Sequence, residues 1–149
     1  MFSGGYIGVV EKDGAIIGSR QVAQAFTRPE YFWPRPSAVD YDGAGAGGSN
    51  LSPTSSKVTD RGKEIVERYG ATPANPLPAD LAAASGAGLD PHISEAAAVY
   101  QAARVAEARG MDKARLESLI RRAAFSPGGF LTKERIVNVL ELNLVLDRL

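Results

Sequence analysis

Three glycines, Gly43, Gly45 and Gly48, have the G-x-G-x-x-G spacing of dinucleotide-binding loops. That motif binds a pyrophosphate only when a strand precedes it and a helix begins at its end. Here a segment rich in proline and aromatic residues precedes the glycines, and 49–51 (SNL) follows them. The G-K-[ST] ending of a P-loop is also missing from the sequence. We interpret the glycines as loop geometry and not as a nucleotide site.

His92 is the only histidine, and the chain contains no cysteine. A catalytic triad would need His92 as its base, and the sequence contains no G-x-S-x-G nucleophile motif. A metal site would have to be built mainly from carboxylates. We therefore place His92 in a turn between Pro91 and Ser94, and predict no catalytic residue, metal ion or other cofactor.

The segment 31–36 (YFWPRP) joins three aromatic residues to an arginine. These residue types are enriched at the centres of protein interfaces. Two interpretations remain open. In the first, a partner-binding surface contains Tyr31, Phe32, Trp33, Arg35 and Asn50. In the second, the rings form core beneath a long loop and Arg35 bonds to loop carbonyls.

The elements that must position these residues form an α+β pattern. Apolar β-branched runs flank Asp13-Gly14, which favours a β-hairpin with a type I′ turn. Apolar spacing and capping residues predict helices over 55–69, 94–109 and about 112–124, and a small apolar piece over 81–85.

Leucines alternate with other residues over 136–149, which is typical of a half-buried strand. We expect Asn138 and Asn143, near and on that strand, to face solvent. The sequence thus predicts a single α+β domain over 1–149 with an N-terminal β-hairpin, a C-terminal strand and about three to four helices.

The composition excludes several classes of function. The 149 residues include 17 Lys+Arg and 17 Asp+Glu, so the formal net charge is zero. Nucleic-acid binding requires a basic surface that neutralises phosphates, and this composition does not favour it. No apolar run approaches the ~20 residues that span a bilayer. A protein or a small molecule is therefore the expected partner.

Several segments together resemble the C subunit of the Kdp-type potassium-transporting P-type ATPases. They are spread over nearly the whole chain, in the order found in that family. They are 18–20 (GSR) with Gln24 and Phe26, 31–33 (YFW) with 35–38 (RPSA), 47–51 (GGSNL), 84–94 (ASGAGLDPHIS), Gln101 with 104–106 (RVA) and 108–110 (ARG), and 137–144 (VNVLELNL) with 146–147 (LD).

The resemblance implies an accessory subunit that is not an enzyme by itself. Its partners would be the pore-forming A subunit, the ATP-hydrolysing B subunit and the small F subunit of an ATP-driven high-affinity potassium uptake pump. It would stabilise their assembly and raise the apparent ATP affinity of the complex. Its domain would lie on the extracytoplasmic face of a bacterial or archaeal plasma membrane. The family also implies a nucleotide-binding role for the matching glutamine, Gln24.

Members of that family open with one membrane-spanning helix, whereas this chain begins just before the predicted hairpin. We interpret it either as a truncated single-pass subunit or as a naturally anchorless variant, so that any membrane attachment would come from that helix. An independent extracytoplasmic domain that binds a nucleotide or a small solute is the alternative.

Overall fold

A computed structural model describes residues 9–12, 14–37, 56–85 and 88–149 of the chain. In these residues the chain forms strands β1 (Val9–Lys12) and β2 (Ala15–Ser19), then helices α1 (Ser56–Tyr69) and α2 (Ala79–Ala82). Strand β3 (His92–Ser94), helices α3 (Glu95–Arg109) and α4 (Lys113–Ala123), a 3-10 turn (Gly129–Leu131), strand β4 (Ile136–Asn138) and helix α5 (Val139–Leu146) follow. The predicted α+β class is confirmed.

The two N-terminal strands form the predicted hairpin. They pair antiparallel, with Val9 opposite Ser19 and Lys12 opposite Ala15. Gly14 has a φ of 79°, a conformation that suits glycine in a tight hairpin turn. The other central turn residue, Asp13, lies outside the described residues.

Strands β3 and β4 pair antiparallel, and each leads directly into a helix. Ser94 ends β3 and caps α3, because its Oγ accepts a hydrogen bond from the Ala97 N–H at 3.0 Å. Asn138 ends β4 and caps α5, because its Oδ1 accepts from the Glu141 N–H at 3.1 Å. Two strand-to-helix units therefore lie side by side, joined through their strands.

The predicted strand over 136–149 is wrong beyond Asn138, because the alternating leucines belong to α5. This helix is buried on several sides, so its leucines need not follow a single helical stripe. They also have a higher intrinsic helix propensity than β-branched residues. The Asn138 cap then decides the conformation in favour of a helix.

The core lies where α3, α4 and α5 meet the small β3–β4 sheet. Small alanines on α3 allow close approach of its neighbours, while larger side chains from the other elements fill the remaining space. The largest fully buried apolar side chains are Phe32, Leu81, Ile93, Val105, Leu116, Ile120, Val137, Val139, Leu142 and Leu146. No helix among the described residues has both the length and the apolar character needed to span a membrane.

Candidate functional site

The structure brings four of the five residues predicted to bind a partner into one loop that crosses α3 and α5. Phe32 is 0% exposed and Trp33 is 7% exposed, so both rings are packed inside the domain. Tyr31 and Arg35 are half-buried. Asn50 lies outside the described residues. For Phe32 and Trp33, the burial favours the core interpretation over direct contact with a partner.

Arginines stack on the Trp33 ring. The guanidinium carbon of Arg104 lies 3.6 Å from the ring centroid, and that of Arg68 lies 4.2 Å from it. The Trp33 Nε1–H donates to the Arg28 carbonyl at 3.0 Å, and the Tyr69 ring meets the indole edge-on at 5.3 Å. The tryptophan thereby joins the loop to helices α1 and α3.

Arg104 also fixes the backbone of the loop. Its guanidinium donates to the carbonyls of Pro29 and Tyr31 and to Gln101 Oε1. Desolvation by burial lowers the pKa of Arg104 to about 10, and the nearby Arg68 also lowers it, whereas Tyr69 acts in the opposite direction. The side chain stays protonated at neutral pH and keeps both its stacking and its hydrogen bonds.

Two buried amides clamp the backbone of Phe32 and Trp33. Gln101 on α3 accepts from the Trp33 N–H at 2.8 Å and donates to the Trp33 carbonyl at 3.0 Å. Asn143 on α5 accepts from the Phe32 N–H at 2.8 Å and donates to the Phe32 carbonyl at 3.0 Å. Each amide therefore completes both backbone hydrogen bonds of one residue, as a neighbouring strand would.

Asn143 and Asn138 are buried, so the expectation that they face solvent was wrong. Asn143 serves the loop, and Asn138 donates from Nδ2 to the Arg20 carbonyl at 2.8 Å in addition to capping α5. Gln101 was missed, although one signal was present. It is a polar residue on the face of α3 that otherwise carries Ala97, Ala98 and Val105.

Arg35 ties the loop to the segment that follows α2. Its Nε donates to the Ala83 carbonyl at 3.4 Å, its Nη2 donates to the Ala84 carbonyl at 3.3 Å, and its Nη1 lies 3.7 Å from Asp90 Oδ2. The side chain is one quarter exposed, at 25%. Arg35 is thus used within the domain while part of its surface stays accessible.

Gln24 lines an open pocket of about 250 Å³ beside the loop. The amide of Gln24 lies against β2, because a Cβ added at Gly18 would come within 1.9 Å of its Nε2. The pocket lining consists of Gln24, Phe26, Tyr31, Leu140, Asn143, Leu144 and Asp147.

This pocket is small for a nucleotide. Sites for drug-sized ligands occupy about 300–1,000 Å³, which exceeds the volume available here. The charged group in the lining is the acidic Asp147, which pairs with Arg109 at 2.9 Å and accepts from the Tyr31 hydroxyl at 3.2 Å. A triphosphate at Gln24 would lie close to that carboxylate.

His92 begins strand β3 and does not lie in the predicted turn. Its Nδ1 lies 3.0 Å from Asp90 Oδ1, and its ring meets Phe125 edge-on at 5.7 Å. Among the described residues, no group of three or more histidine and carboxylate side chains could hold a metal ion. The local contacts of His92 are those of a packed residue at a strand edge.

Comparison with known proteins gives a consistent result. The family model described as KdpC, the c chain of the K+-transporting ATPase, matches residues 3–148. A potassium-transporting ATPase KdpC subunit of Parvibaculum lavamentivorans is 69% identical over 140 residues, which cover 94% of this chain and 75% of that protein. KdpC subunits of Methylococcus capsulatus and Shewanella putrefaciens are 47% and 44% identical, and the matches cover 95% of this chain and 77% and 72% of those proteins. The chain therefore belongs to the KdpC family.

Proposed function

We propose that this chain is an accessory, non-catalytic subunit of an ATP-driven potassium uptake pump. The observation that carries the proposal is the family match over 3–148, together with relatives whose names describe subunits of a potassium-transporting ATPase. The partners would be the pore-forming A, ATP-hydrolysing B and small F subunits. Residues 1–149 would form one domain on the extracytoplasmic face of the membrane.

The role in the pump would be to stabilise the assembly and to raise its apparent ATP affinity. Direct contact with ATP is not needed for the second effect. A subunit that binds one conformation of the complex more tightly changes nucleotide affinity at a distant site through linkage. The small size of the pocket beside Gln24 supports such indirect coupling over a nucleotide site in this domain.

The partner-binding surface would include Tyr31 and Arg35, whose side chains remain partly accessible, and Asn50. Phe32 and Trp33 would act from within the domain, because their packing against Gln101, Asn143 and the stacked arginines fixes the path of the loop. A rigid loop loses little conformational entropy when it binds, which favours a stable complex.

Copurification with the pump tests this surface. In Tyr31→Ala we expect the amount of this chain that copurifies with the A, B and F subunits to fall several-fold, because the substitution removes the half-buried ring that would contact the partner. Tyr100→Ala is the matched control, since Tyr100 is also half-buried but lies on α3 and donates its hydroxyl to the Asn75 carbonyl. Equal copurification of the two variants would remove Tyr31 from the interface.

A second candidate function is an independent extracytoplasmic domain that binds a nucleotide or a small solute. The pocket beside Gln24 is the observation that favours the small-solute version. Titration calorimetry of the 149-residue chain with ATP tests the nucleotide version. Saturable binding that is lost in Gln24→Ala would support it. Melting curves across a panel of small solutes test the other version, which requires a ligand-dependent rise in Tm.

A further inference from the structure

The turn between α4 and β4 exposes two neighbouring apolar side chains. Phe130 is 97% exposed and Leu131 is 80% exposed, both on the 3-10 turn Gly129–Leu131. The other large apolar side chains that the structure shows as exposed have exposed fractions between 38% and 63%. Adjacent, almost fully exposed apolar residues usually mark a contact with a partner or a membrane.

The turn is held in a defined shape. The Gly129 N–H donates to the Ser126 carbonyl at 3.1 Å, and the Gly128 N–H donates to Thr132 Oγ1 at 3.2 Å. At its base, Phe125 and Ile136 exchange backbone hydrogen bonds of 3.0 Å and 2.9 Å. Phe130 and Leu131 are therefore displayed at the tip of an ordered turn.

Basic residues flank this turn in the sequence. Over 121–135 the chain carries Arg121, Arg122, Lys133 and Arg135 against one acidic residue, Glu134, although its formal net charge as a whole is zero. Arg121 lies 3.9 Å from Glu117, and Arg135 pairs with Glu95 at 2.9 Å. Arg122 and Lys133 are exposed, and neither pairs with a carboxylate within the described parts of the chain.

We propose that the turn 126–132 is a membrane-contact element that inserts Phe130 and Leu131 into the interface of an anionic phospholipid bilayer. Arg122 and Lys133 bind the lipid phosphates around the inserted tip. Apolar side chains combined with basic neighbours are the combination that binds anionic lipid surfaces.

A bilayer fits this tip better than a protein surface does. A standard protein interface buries about 800 Å² on each partner, and two side chains on one narrow turn supply only part of that area. A fluid bilayer requires no preformed pocket, and each apolar side chain that inserts contributes its own favourable transfer free energy. The excess of positive charge over 121–135 also complements the phosphates of an anionic bilayer.

Flotation with vesicles tests the proposal on the 149-residue chain and needs no pump subunit, so its outcome is separate from that of the pump assignment. We expect binding to 1:1 phosphatidylcholine–phosphatidylglycerol vesicles at low salt and much less binding to phosphatidylcholine alone. The double variant Phe130→Ser/Leu131→Ser should lose about tenfold in binding. Val66→Ser on α1, which replaces a 45% exposed apolar residue, is the matched control and should bind as the parent chain does.

Insertion can be read directly, because the chain has no native cysteine. Phe130→Cys labelled with an environment-sensitive fluorophore should shift to the blue on the anionic vesicles, while a label on Val66→Cys should not. Arg122→Glu/Lys133→Glu should abolish the preference for anionic lipid. Equal binding of the parent and the Phe130→Ser/Leu131→Ser variant, or no spectral shift at position 130, would overturn the proposal. A protein partner would replace the bilayer if two results came together. The parent chain would not bind vesicles, and the Phe130→Ser/Leu131→Ser variant would lose binding to detergent-purified pump subunits.

Discussion

Two buried amides, Gln101 and Asn143, hold the aromatic loop at the level of single residues. Their exposed fractions are 1% and 2%, and each pairs with both backbone groups of one loop residue. A buried amide that is fully hydrogen-bonded specifies geometry, since any other position of the loop would leave polar groups unpaired. The loop is therefore located by hydrogen bonds as well as by ring packing.

Replacing Gln101 tests this clamp. Gln101→Met keeps the side-chain volume but leaves the Trp33 N–H and carbonyl without their partner and removes an acceptor of Arg104. We expect the free energy of unfolding to fall by about 2–4 kcal/mol in urea titrations. Gln21→Met, at an exposed glutamine, should change it by less than about 0.5 kcal/mol. Equal effects of the two substitutions would show that the clamp contributes nothing.

The shape of the Arg104 guanidinium matters in addition to its charge. Arg104→Lys keeps a cation but loses the planar stacking on Trp33 and the forked hydrogen bonds to the loop carbonyls. We expect the variant to be less stable by about 1–3 kcal/mol and its tryptophan fluorescence to shift towards that of solvated indole. Arg115→Lys, at an exposed arginine of α4, is the control and should leave both readouts unchanged. An unaltered fluorescence spectrum in Arg104→Lys would contradict the stacking.

At the scale of elements, the fold depends on two strands that each end in a helix cap. Ser94 and Asn138 occupy equivalent positions at the ends of β3 and β4, and each caps the helix that follows. The Ser94 N–H and Oγ also donate to the carboxylate of Asp80 on α2 at 2.7 Å and 3.1 Å. One polar residue at each strand end thus links local structure to tertiary packing.

Removing one of these caps should have a large effect. Asn138→Ala deletes both the cap of α5 and the hydrogen bond to the Arg20 carbonyl from a buried position. We expect a loss of about 1–3 kcal/mol in unfolding free energy, with fraying at the start of α5 visible by amide hydrogen exchange. Asp112→Ala, at the exposed cap of α4, should cost about 1 kcal/mol or less. A larger loss in Asp112→Ala than in Asn138→Ala would contradict this view of α5.

Sequence patterns predicted the elements that carry their own local signals. The hairpin has its turn glycine, and α3 and α4 have a capping Ser94 and Asp112 at their starts and, for α3, Gly110 at its end. The last element, α5, was mispredicted as a strand because its leucines alternate in the sequence, and alternation is the pattern typical of a strand. Tertiary packing buries α5 on several sides. Its apolar residues therefore do not follow the single apolar face by which a helix is recognised in a sequence.

The candidate site was predicted only in part, for a related reason. Residue types marked the loop 31–35 as important but could not decide between a surface and a core, since aromatic residues and arginine serve both. The contacts that settle the burial of Phe32 and Trp33 come from Gln101 and Asn143, far away in the sequence. Such long-range pairing leaves little trace in local spacing.

At the scale of the whole molecule, the described residues present two accessible features on a packed domain. Tyr31 and Arg35 belong to the clamped loop, and Phe130 and Leu131 form an apolar tip with basic neighbours. A domain of this kind is suited to contact other molecules. We therefore expect this domain to work as part of an assembly.

The most direct test is ATP-driven potassium uptake by cells that lack their C subunit and receive this chain fused to one exported membrane helix. We expect uptake at low external potassium to be restored, and we expect the chain alone to hydrolyse no ATP. Absence of uptake, with the fusion shown to be folded, exported and supplied with A, B and F subunits from its own source, would contradict the assignment as a pump subunit.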